Sequence, residues 1–295
     1  MLKVLQINLH HSKVASANLL LLLNEAHYDV VLIQEPWVSK GSVCGLRTPI
    51  YTLISHATGR CRACILIRKN LNFFFLNTFS EADLVAIAVG MDGDWIRLGS
   101  VYLAYDLDIP SQSLVSLVGS SQTANIPIIL GCDANAHHDL WGSSNTNNRG
   151  ESLLDFIFMN NLSICNVGNK PTFINKTREE VIDVTLCSNF VHDMVTNWSV
   201  LNQHSFSDHS YISFSVSLPK SHLRKAKLGP NIRKANWEKF QNILPYITPK
   251  IKLKNYSSSR DLDKVASSLQ TSLTLALNLS APPRKPPPRK VKADW

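Results

Sequence analysis

Short apolar runs dominate the first 218 residues and predict a succession of buried β-strands. The predicted strands cover residues 2–10, 29–36, 50–56, 62–69, 83–89, 95–105, 126–135, 162–167, 181–187 and 211–217. Helices are predicted over 16–27, with Ser16 as N-cap, over 110–124, starting at Pro110, and over 150–161. So many successive strands do not fit a simple βαβ domain. The pattern predicts an α/β fold in which two packed sheets are covered by helices.

The pattern changes around Pro219, where basic and polar residues replace the apolar runs. Two further helices are predicted over 236–247 and 260–279, the second from leucines and alanines at helical spacing. The final run, APPRKPPPRKVKADW, is rich in Pro, Lys and Arg, which predicts an extended, exposed linker. We therefore expect one domain over residues 1–218 and a basic, partly helical linker over 219–295 that leads into a further domain.

The net charge of +8 is distributed unevenly between these two parts. Residues 1–218 contain 13 Lys and Arg against 18 Asp and Glu, a net charge of −5. Residues 219–295 contain 17 against 4, a net charge of +13. An acidic body fits carboxylates grouped around a cation. A basic extension fits a polyanionic partner such as nucleic acid, although a solvated linker would have the same composition.

Composition and cysteine usage narrow the class of protein. A hydrophobic share of 44% and a charged share of 18% are typical of a folded globular chain. No apolar run is long enough to span a bilayer, and the start, MLKVLQINLHHSK, lacks the layout of a signal peptide. The single CxxC pair, Cys61 and Cys64, has no second pair at zinc-finger spacing. These features predict a soluble intracellular protein with reduced thiols and no membrane partner.

Carboxylate, amide and imidazole side chains occur where the predicted strands end. They are Asn8, Glu35, Asp133, Asn135, Asp183, Asp208 and His209. A hard cation takes oxygen ligands such as Glu35, and an attacking water needs an acceptor such as Asp133. Asp183 lies inside the apolar run VIDVTL and needs a partner, which His209 could supply. Each residue alone also fits ordinary turn chemistry. Together they predict metal-dependent hydrolysis of a phosphodiester.

Seven short motifs occur in a fixed order along the chain. They are NLHHSK near the start, QEPW at 34–37, SVYLAY at 100–105, GCDANAHHDLWGS at 131–143, NRGESLLDF at 148–156, IDVT at 182–185 and SDH at 207–209. This ordered set resembles the apurinic-endonuclease-like endonuclease domain of non-LTR (LINE-type) retrotransposons of the Jockey-like group, within the endonuclease/exonuclease/phosphatase superfamily. The resemblance covers about residues 1–218. It implies a four-layer α/β sandwich with two central mixed β-sheets flanked by helices.

The resemblance implies a metal site formed by Glu35, Asn8 and Asp208. Glu35 matches the principal Mg²⁺ ligand of the family, while Asn8 and Asp208 match residues near the metal. The resemblance also implies Mn²⁺ as a substitute for Mg²⁺. The chain departs from the DNA-repair relatives at His10, where those enzymes have an Asp. This departure weakens a second carboxylate–metal contact and argues against a repair enzyme.

The resemblance also implies how the phosphate is handled. Contacts with the scissile phosphate are expected from Tyr102, Asn135, Ser207 and His209. Asp133 matches the residue that orients or deprotonates the attacking water. Asp183 matches the carboxylate that orients the imidazole of His209 on the phosphate.

The function implied is a Mg²⁺-dependent endonuclease that nicks double-stranded target DNA. The nick would leave a 3′-hydroxyl that primes target-primed reverse transcription by the reverse-transcriptase region of the same polyprotein, in the nucleus. The loop around Asn197–Phe206 is our candidate for probing the DNA. Two alternatives stay open at this point: a superfamily phosphodiesterase or phosphatase acting on a lipid or inositol phosphate, and a catalytically dead nucleic-acid-binding module.

Overall fold

A computed structural model describes residues 1–56, 60–91, 93–217, 231–248 and, within 265–282, residues 265, 269, 272, 273, 275–277 and 279–282. The chain divides into two compact units, Met1–Lys220 and Ser221–Trp295. The first unit contains the two large sheets, three of the described α-helices and every predicted site residue.

One six-stranded sheet contains both ends of the first unit. Its strands are β1 (Leu2–Asn8), β2 (Val30–Gln34), β5 (Tyr51–Ser55), β6 (Ala63–Arg68), β15 (Val195–Val200) and β16 (Ile212–Val216). They lie in the order β15-β16-β1-β2-β6-β5, where β1 and β2 are parallel and the other neighbours are antiparallel. The hairpin of β3 (Val38–Ser39) and β4 (Ser42–Val43) follows β2.

The second six-stranded sheet is built from the middle of the chain. Its strands are β7 (Phe73–Phe75), β8 (Leu84–Met91), β9 (Asp94–Tyr102), β10 (Ile128–Asp133), β11 (Leu162–Ile164) and β14 (Asp183–Ser188). They lie in the order β11-β14-β10-β9-β8-β7, and only β9 and β10 are parallel. A second hairpin, β12 (Phe173–Ile174) with β13 (Glu179–Glu180), precedes β14.

Three helices of the first unit begin at side-chain caps. They are α1 (Lys13–Glu25), α2 (Gln112–Ala124) and α3 (Asn148–Met159). The predictions that α1 is capped by Ser16 and that α2 starts at Pro110 are wrong. Ser12 caps α1, because its side chain accepts the N–H of Ala15, and Ser111 caps α2 in the same way.

Three apolar clusters separate four layers. One cluster consists of apolar residues on the inner faces of both sheets, including Leu32 and Leu98. A second packs α1 against the outer face of the first sheet, and the third packs α2 and α3 against the outer face of the second. The predicted sandwich with two central mixed sheets is therefore confirmed. No described helix is long and apolar enough to cross a membrane.

Two edge strands, β7 and β15, were not predicted from the sequence. Edge strands are often short or partly exposed. β7 has only three residues, and in β15 only Val200 is buried. The predicted DNA-probing segment Asn197–Phe206 thus begins as part of β15 and becomes a loop only after Val200.

The second unit contains a short 3-10 helix, Ile232–Lys234, and α4, Trp237–Ile247. The helix predicted over 236–247 is therefore present. Most of the helix predicted over 260–279, and the predicted linker after 282, lie outside the described residues.

Candidate active site

Four of the predicted site residues lie on the inner faces of the two sheets, and the other five lie in loops at the same rim of the sandwich. Side chains alternate along a strand, so on β1 the inner face that begins with Leu2 and Val4 continues with Gln6 and Asn8. By the same alternation the other strands contribute Gln34, Ser100, Tyr102, Gly131, Asp133, Asp183 and Thr185 to this face. Strand register puts Asp133 level with Tyr102 on β9 and with Asp183 on β14.

Asn8 connects the two sheets at this rim. Its Nδ2 donates to Glu35 Oε2 at 3.1 Å and to Asp133 Oδ2 at 2.6 Å, while its Oδ1 accepts the backbone N–H of His10 at 2.7 Å. The partners of Nδ2 are carboxylates and the partner of Oδ1 is a donor, so this orientation of the amide is the only one that satisfies all three. Asn8 therefore sets the separation of Glu35 and Asp133.

His209 lies between two buried carboxylates. Its Nδ1 is 2.8 Å from Asp183 Oδ2, and its Nε2 is 4.0 Å from Asp133 Oδ2. Burial disfavours the imidazolium, but the charge and hydrogen bond of Asp183, with the charges of Asp133 and Glu35, raise the pKa of His209 to about 9. Burial also raises the pKa of Asp133, although the charge of His209 opposes that rise. The site therefore provides a proton donor, His209, that faces a proton acceptor, Asp133.

Tyr102 is held between a cation and Glu35. The guanidinium of Arg62 lies 4.9 Å from its ring centroid, and Arg62 Nε donates to Asp83 Oδ1 at 2.6 Å. Burial, followed by the charges of Glu35 and Asp133, raises the pKa of Tyr102 above its ordinary value. Its hydroxyl therefore stays protonated and can donate a hydrogen bond.

Asn135, Ser207 and Asp208 form the rim of the site. The backbone N–H of Asn135 donates to Asp133 Oδ1 at 3.2 Å, and Ser207 Oγ donates to the carbonyl of Asn8 at 2.8 Å. Asp208 is more exposed, with 41% of its side chain accessible, and its Oδ2 is 3.2 Å from His10 Nδ1. The structure brings all nine predicted residues to one rim, with Asp208 outermost.

His11 and Phe173 contact site residues and were not predicted from the sequence. His11 Nε2 is 3.3 Å from Glu35 Oε1, and the ring of Phe173 makes an edge contact with the ring of His209, with centroids 5.1 Å apart. His11 could have been found, because it lies in the motif NLHHSK beside Asn8. Phe173 could not, because its approach to His209 depends on the antiparallel backbone pairing of these two residues, which lie far apart in the sequence.

The donors present fit a divalent cation. Among the described residues, one group of three has ligand atoms within 4.8 Å of one another, namely Asp133, Asp183 and His209, and Asp183 Oδ1 is buried without a hydrogen-bond partner. This group differs from the predicted ligands Glu35, Asn8 and Asp208. We favour Glu35 as the principal ligand, because 15% of its side chain is accessible at the rim, whereas the side chains of Asp133, Asp183 and His209 are only 2–6% accessible. The amide oxygen of Asn8, by contrast, is already occupied by His10.

Residues 96–213 match the family described as "Endonuclease-reverse transcriptase". Among solved structures, the chain is similar to the endonuclease domain of TRAS1, a telomere-specific non-LTR retrotransposon, with 26% identity and a TM-score of 0.65 over 74% of this chain and 99% of that domain. The first unit has the fold of the endonuclease/exonuclease/phosphatase superfamily. The resemblance to retrotransposon endonuclease domains, predicted from the motifs, is confirmed.

Two AP endonuclease-type structures share the fold at lower identity. The AP endonuclease LMAP from Leishmania major is 12% identical, with a TM-score of 0.61 over 74% of this chain and 88% of that chain. The catalytic domain of Xenopus laevis APE2 is 13% identical, with a TM-score of 0.58 over 77% of this chain and 100% of that chain. No curated protein matches the sequence. The family match includes Tyr102 to His209 but begins after Asn8 and Glu35.

Proposed function

We propose that the chain is a Mg²⁺-dependent endonuclease of a non-LTR retrotransposon that nicks double-stranded DNA. The observation that carries the proposal is the Asp133–His209–Asp183 arrangement, joined through Asn8 to Glu35. The similarity to a retrotransposon endonuclease domain supports DNA as the substrate. The nick would provide a 3′-hydroxyl primer for target-primed reverse transcription by the adjoining reverse-transcriptase region, in the nucleus.

Each side chain has a distinct part in this reaction. Asp133, with its raised pKa, accepts a proton from the attacking water, and Asn8 holds its carboxylate in place. The protonated His209, oriented by Asp183, donates to a phosphate oxygen, and Tyr102 and Asn135 donate to the same group.

Glu35 and Asp208 would hold the Mg²⁺, or Mn²⁺ in its place, while Asn8 Nδ2 donates to Glu35 Oε2 and fixes that carboxylate. The bound cation would supply neutralisation of the charge that develops on the phosphate. His11, next to Glu35 Oε1, and His10, next to Asp208 Oδ2, keep these two carboxylates oriented toward the rim.

DNA contacts are proposed for the loop after β15. A cavity of about 410 Å³ opens beside Asp208 and His209, and Phe206 lines it with 61% of its surface exposed. An exposed aromatic ring next to the reactive phosphate is suited to packing against a base or sugar. We therefore propose that the loop ending at Phe206 contacts the target DNA.

A plasmid-nicking assay tests this function. Purified wild type should convert supercoiled plasmid to relaxed circles with Mg²⁺ and not with EDTA, and His209→Ala or Asp208→Ala should strongly reduce the rate. A folded wild type that leaves plasmid intact but hydrolyses a lipid or inositol phosphate would replace this function with the first alternative. Binding of DNA without any cleavage would favour the second.

A further inference from the structure

The motif NRGESLLDF contains an arginine, Arg149, that none of the catalytic roles includes. Arg149 is the second residue of α3 and is half-buried. Among the described residues, its guanidinium donates to backbone carbonyls of two site loops, one after β9 and one after β10. Nε donates to Asn135 O at 3.0 Å, Nη2 to Leu103 O at 3.2 Å, and Nη1 to Tyr105 O at 3.3 Å and to Leu107 O.

These two loops carry residues that the reaction needs. The first follows Tyr102, and the second contains Asn135 directly after Asp133 and Ala134. The carbonyl of Leu103 accepts from both Arg149 and Asn135 Nδ2, the latter at 3.3 Å. The planar guanidinium therefore joins the ends of β9 and β10 just behind the site, with a geometry that one ammonium group cannot reproduce.

The neighbours of Arg149 explain how it reaches this place. Asn147 caps α3 by accepting the N–H of Gly150 at 2.8 Å, and it also accepts the N–H of His137 at 3.2 Å. A Cβ on Gly150 would lie 1.8 Å from the carbonyl of His137, so only glycine allows the helix to approach the loop this closely. These contacts hold the start of α3 against the loop after β10. They place the guanidinium of Arg149 within hydrogen-bonding distance of the backbone carbonyls of the two loops.

We propose that Arg149 is a positioning residue that fixes Tyr102 against Asp133 and Asn135 by holding the two loops together. The kinetic part of this proposal rests on the proposed nuclease function. The structural part does not, because it concerns only the order of the loops 103–108 and 134–137. The two parts can therefore fail separately.

The test uses the full chain with Arg149→Met, Arg149→Lys and Arg149→Ala. Arg68→Met is the matched control. Arg68 Nε also donates to a backbone carbonyl, that of Tyr28 at 2.9 Å, but Arg68 lies at the end of β6 that is far from the site, whereas Ala63, at the other end, pairs with Gln34. Arg149→Met should lower the maximal nicking rate by about 10- to 100-fold with little change in KM, as expected for misplaced reacting groups. Arg149→Lys should stay close to Arg149→Met, and millimolar guanidinium should partly restore the rate of Arg149→Ala.

Hydrogen exchange provides the readout that is independent of activity. Arg149→Met should accelerate exchange in 103–108 and 134–137, while Arg68→Met should leave both loops unchanged. Unchanged exchange in these loops would overturn the proposal, and so would a wild-type nicking rate in Arg149→Met. Full activity of Arg149→Lys would show that charge alone matters and would also overturn it. A wild type that cannot nick would contradict the proposed function, and the exchange result would still decide the role of Arg149.

Discussion

Left-handed backbone is concentrated in the loops of the candidate site. Five non-glycine residues there have positive φ: His10, His11, Glu35, Asn135 and Phe206, with values between 44° and 58°. Glu35 also precedes Pro36, a position that favours extended backbone. Such conformations cost roughly 1–3 kcal/mol each and persist where surrounding contacts determine them. One such contact is the N–H of His11 donating to the carbonyl of Glu35 at 2.8 Å. The backbone conformation that positions these site residues therefore lowers the free energy of unfolding of the protein.

Phe206 allows this cost to be measured. Its φ is +58° and its ring is exposed, so Phe206→Gly should relieve the strain and raise the free energy of unfolding by ~1 kcal/mol. Without the ring, DNA should bind more weakly in a fluorescence-anisotropy titration. Phe206→Tyr is the control and should keep wild-type values for both. A glycine variant that is less stable, or that binds DNA as tightly as wild type, would contradict these two expectations.

Asp133 should show the same conflict between stability and function. Burial raises its pKa in the folded protein above that in the unfolded chain, so its ionised form destabilises the fold at neutral pH. Asp133→Asn should therefore abolish nicking and remove the part of the pH dependence of stability that this carboxyl group contributes. With EDTA, acidification from above to below neutral pH should raise the Tm of wild type relative to that of the variant, because the wild-type carboxylate then takes up its proton. A wild-type Tm that does not rise relative to that of the variant would disprove the argument.

The elements explain which parts of the site could be read from the sequence. Asn8, Asp133 and Asp183 could be found because each interrupts or ends an apolar strand. Strand bounds were predicted less well, since β1 ends at Asn8 and not at residue 10, where left-handed backbone begins. Contacts such as Phe173 against His209 depend on which strands become neighbours, and local patterning carries no information on that.

A band of polar side chains connects the sheets directly beneath the site residues. Gln34 Nε2 donates to Ser100 Oγ and to Gly131 O, both at 2.9 Å, and Thr185 Oγ1 donates to Gln6 Oε1 at 2.9 Å. Each of these residues lies one or two positions from a residue of the site. Apolar contacts between sheets tolerate sliding, whereas directional hydrogen bonds do not. We infer that this band fixes the relative position of the two sheets at the rim.

Gln34→Leu tests this band. Loss of both hydrogen bonds should reduce the free energy of unfolding by ~1–3 kcal/mol and should also lower the nicking rate. Gln122→Leu is the control, since Gln122 Nε2 donates to Asn160 O on the exposed side of α2, away from the site. Urea denaturation and plasmid nicking would report the two effects. Undiminished nicking by a Gln34→Leu protein that remains folded would mean that the apolar layers alone hold the rim together.

At the scale of the whole molecule, charge and chemistry are divided between the two units. The first unit contains all nine site residues and three apolar clusters of its own. The basic excess lies after residue 218. Attraction to the phosphate backbone is long-ranged and independent of sequence, whereas catalysis and target choice depend on short contacts. We therefore propose that the second unit adds affinity without directing cleavage.

Removing residues 221–295 should separate these two contributions. The chain 1–220 should fold and nick plasmid at the same positions as the full chain, because the site and its supporting band are complete within it. Its affinity for duplex DNA should fall at low salt, and the slope of log K against log salt should become shallower, since each lost phosphate contact removes about 0.9 from the slope. Titrations at several salt concentrations measure this slope, and sequencing of the nicks measures position. An unchanged slope would mean that the basic segment is a linker that does not touch DNA, whereas altered nick positions would assign it a part in target choice.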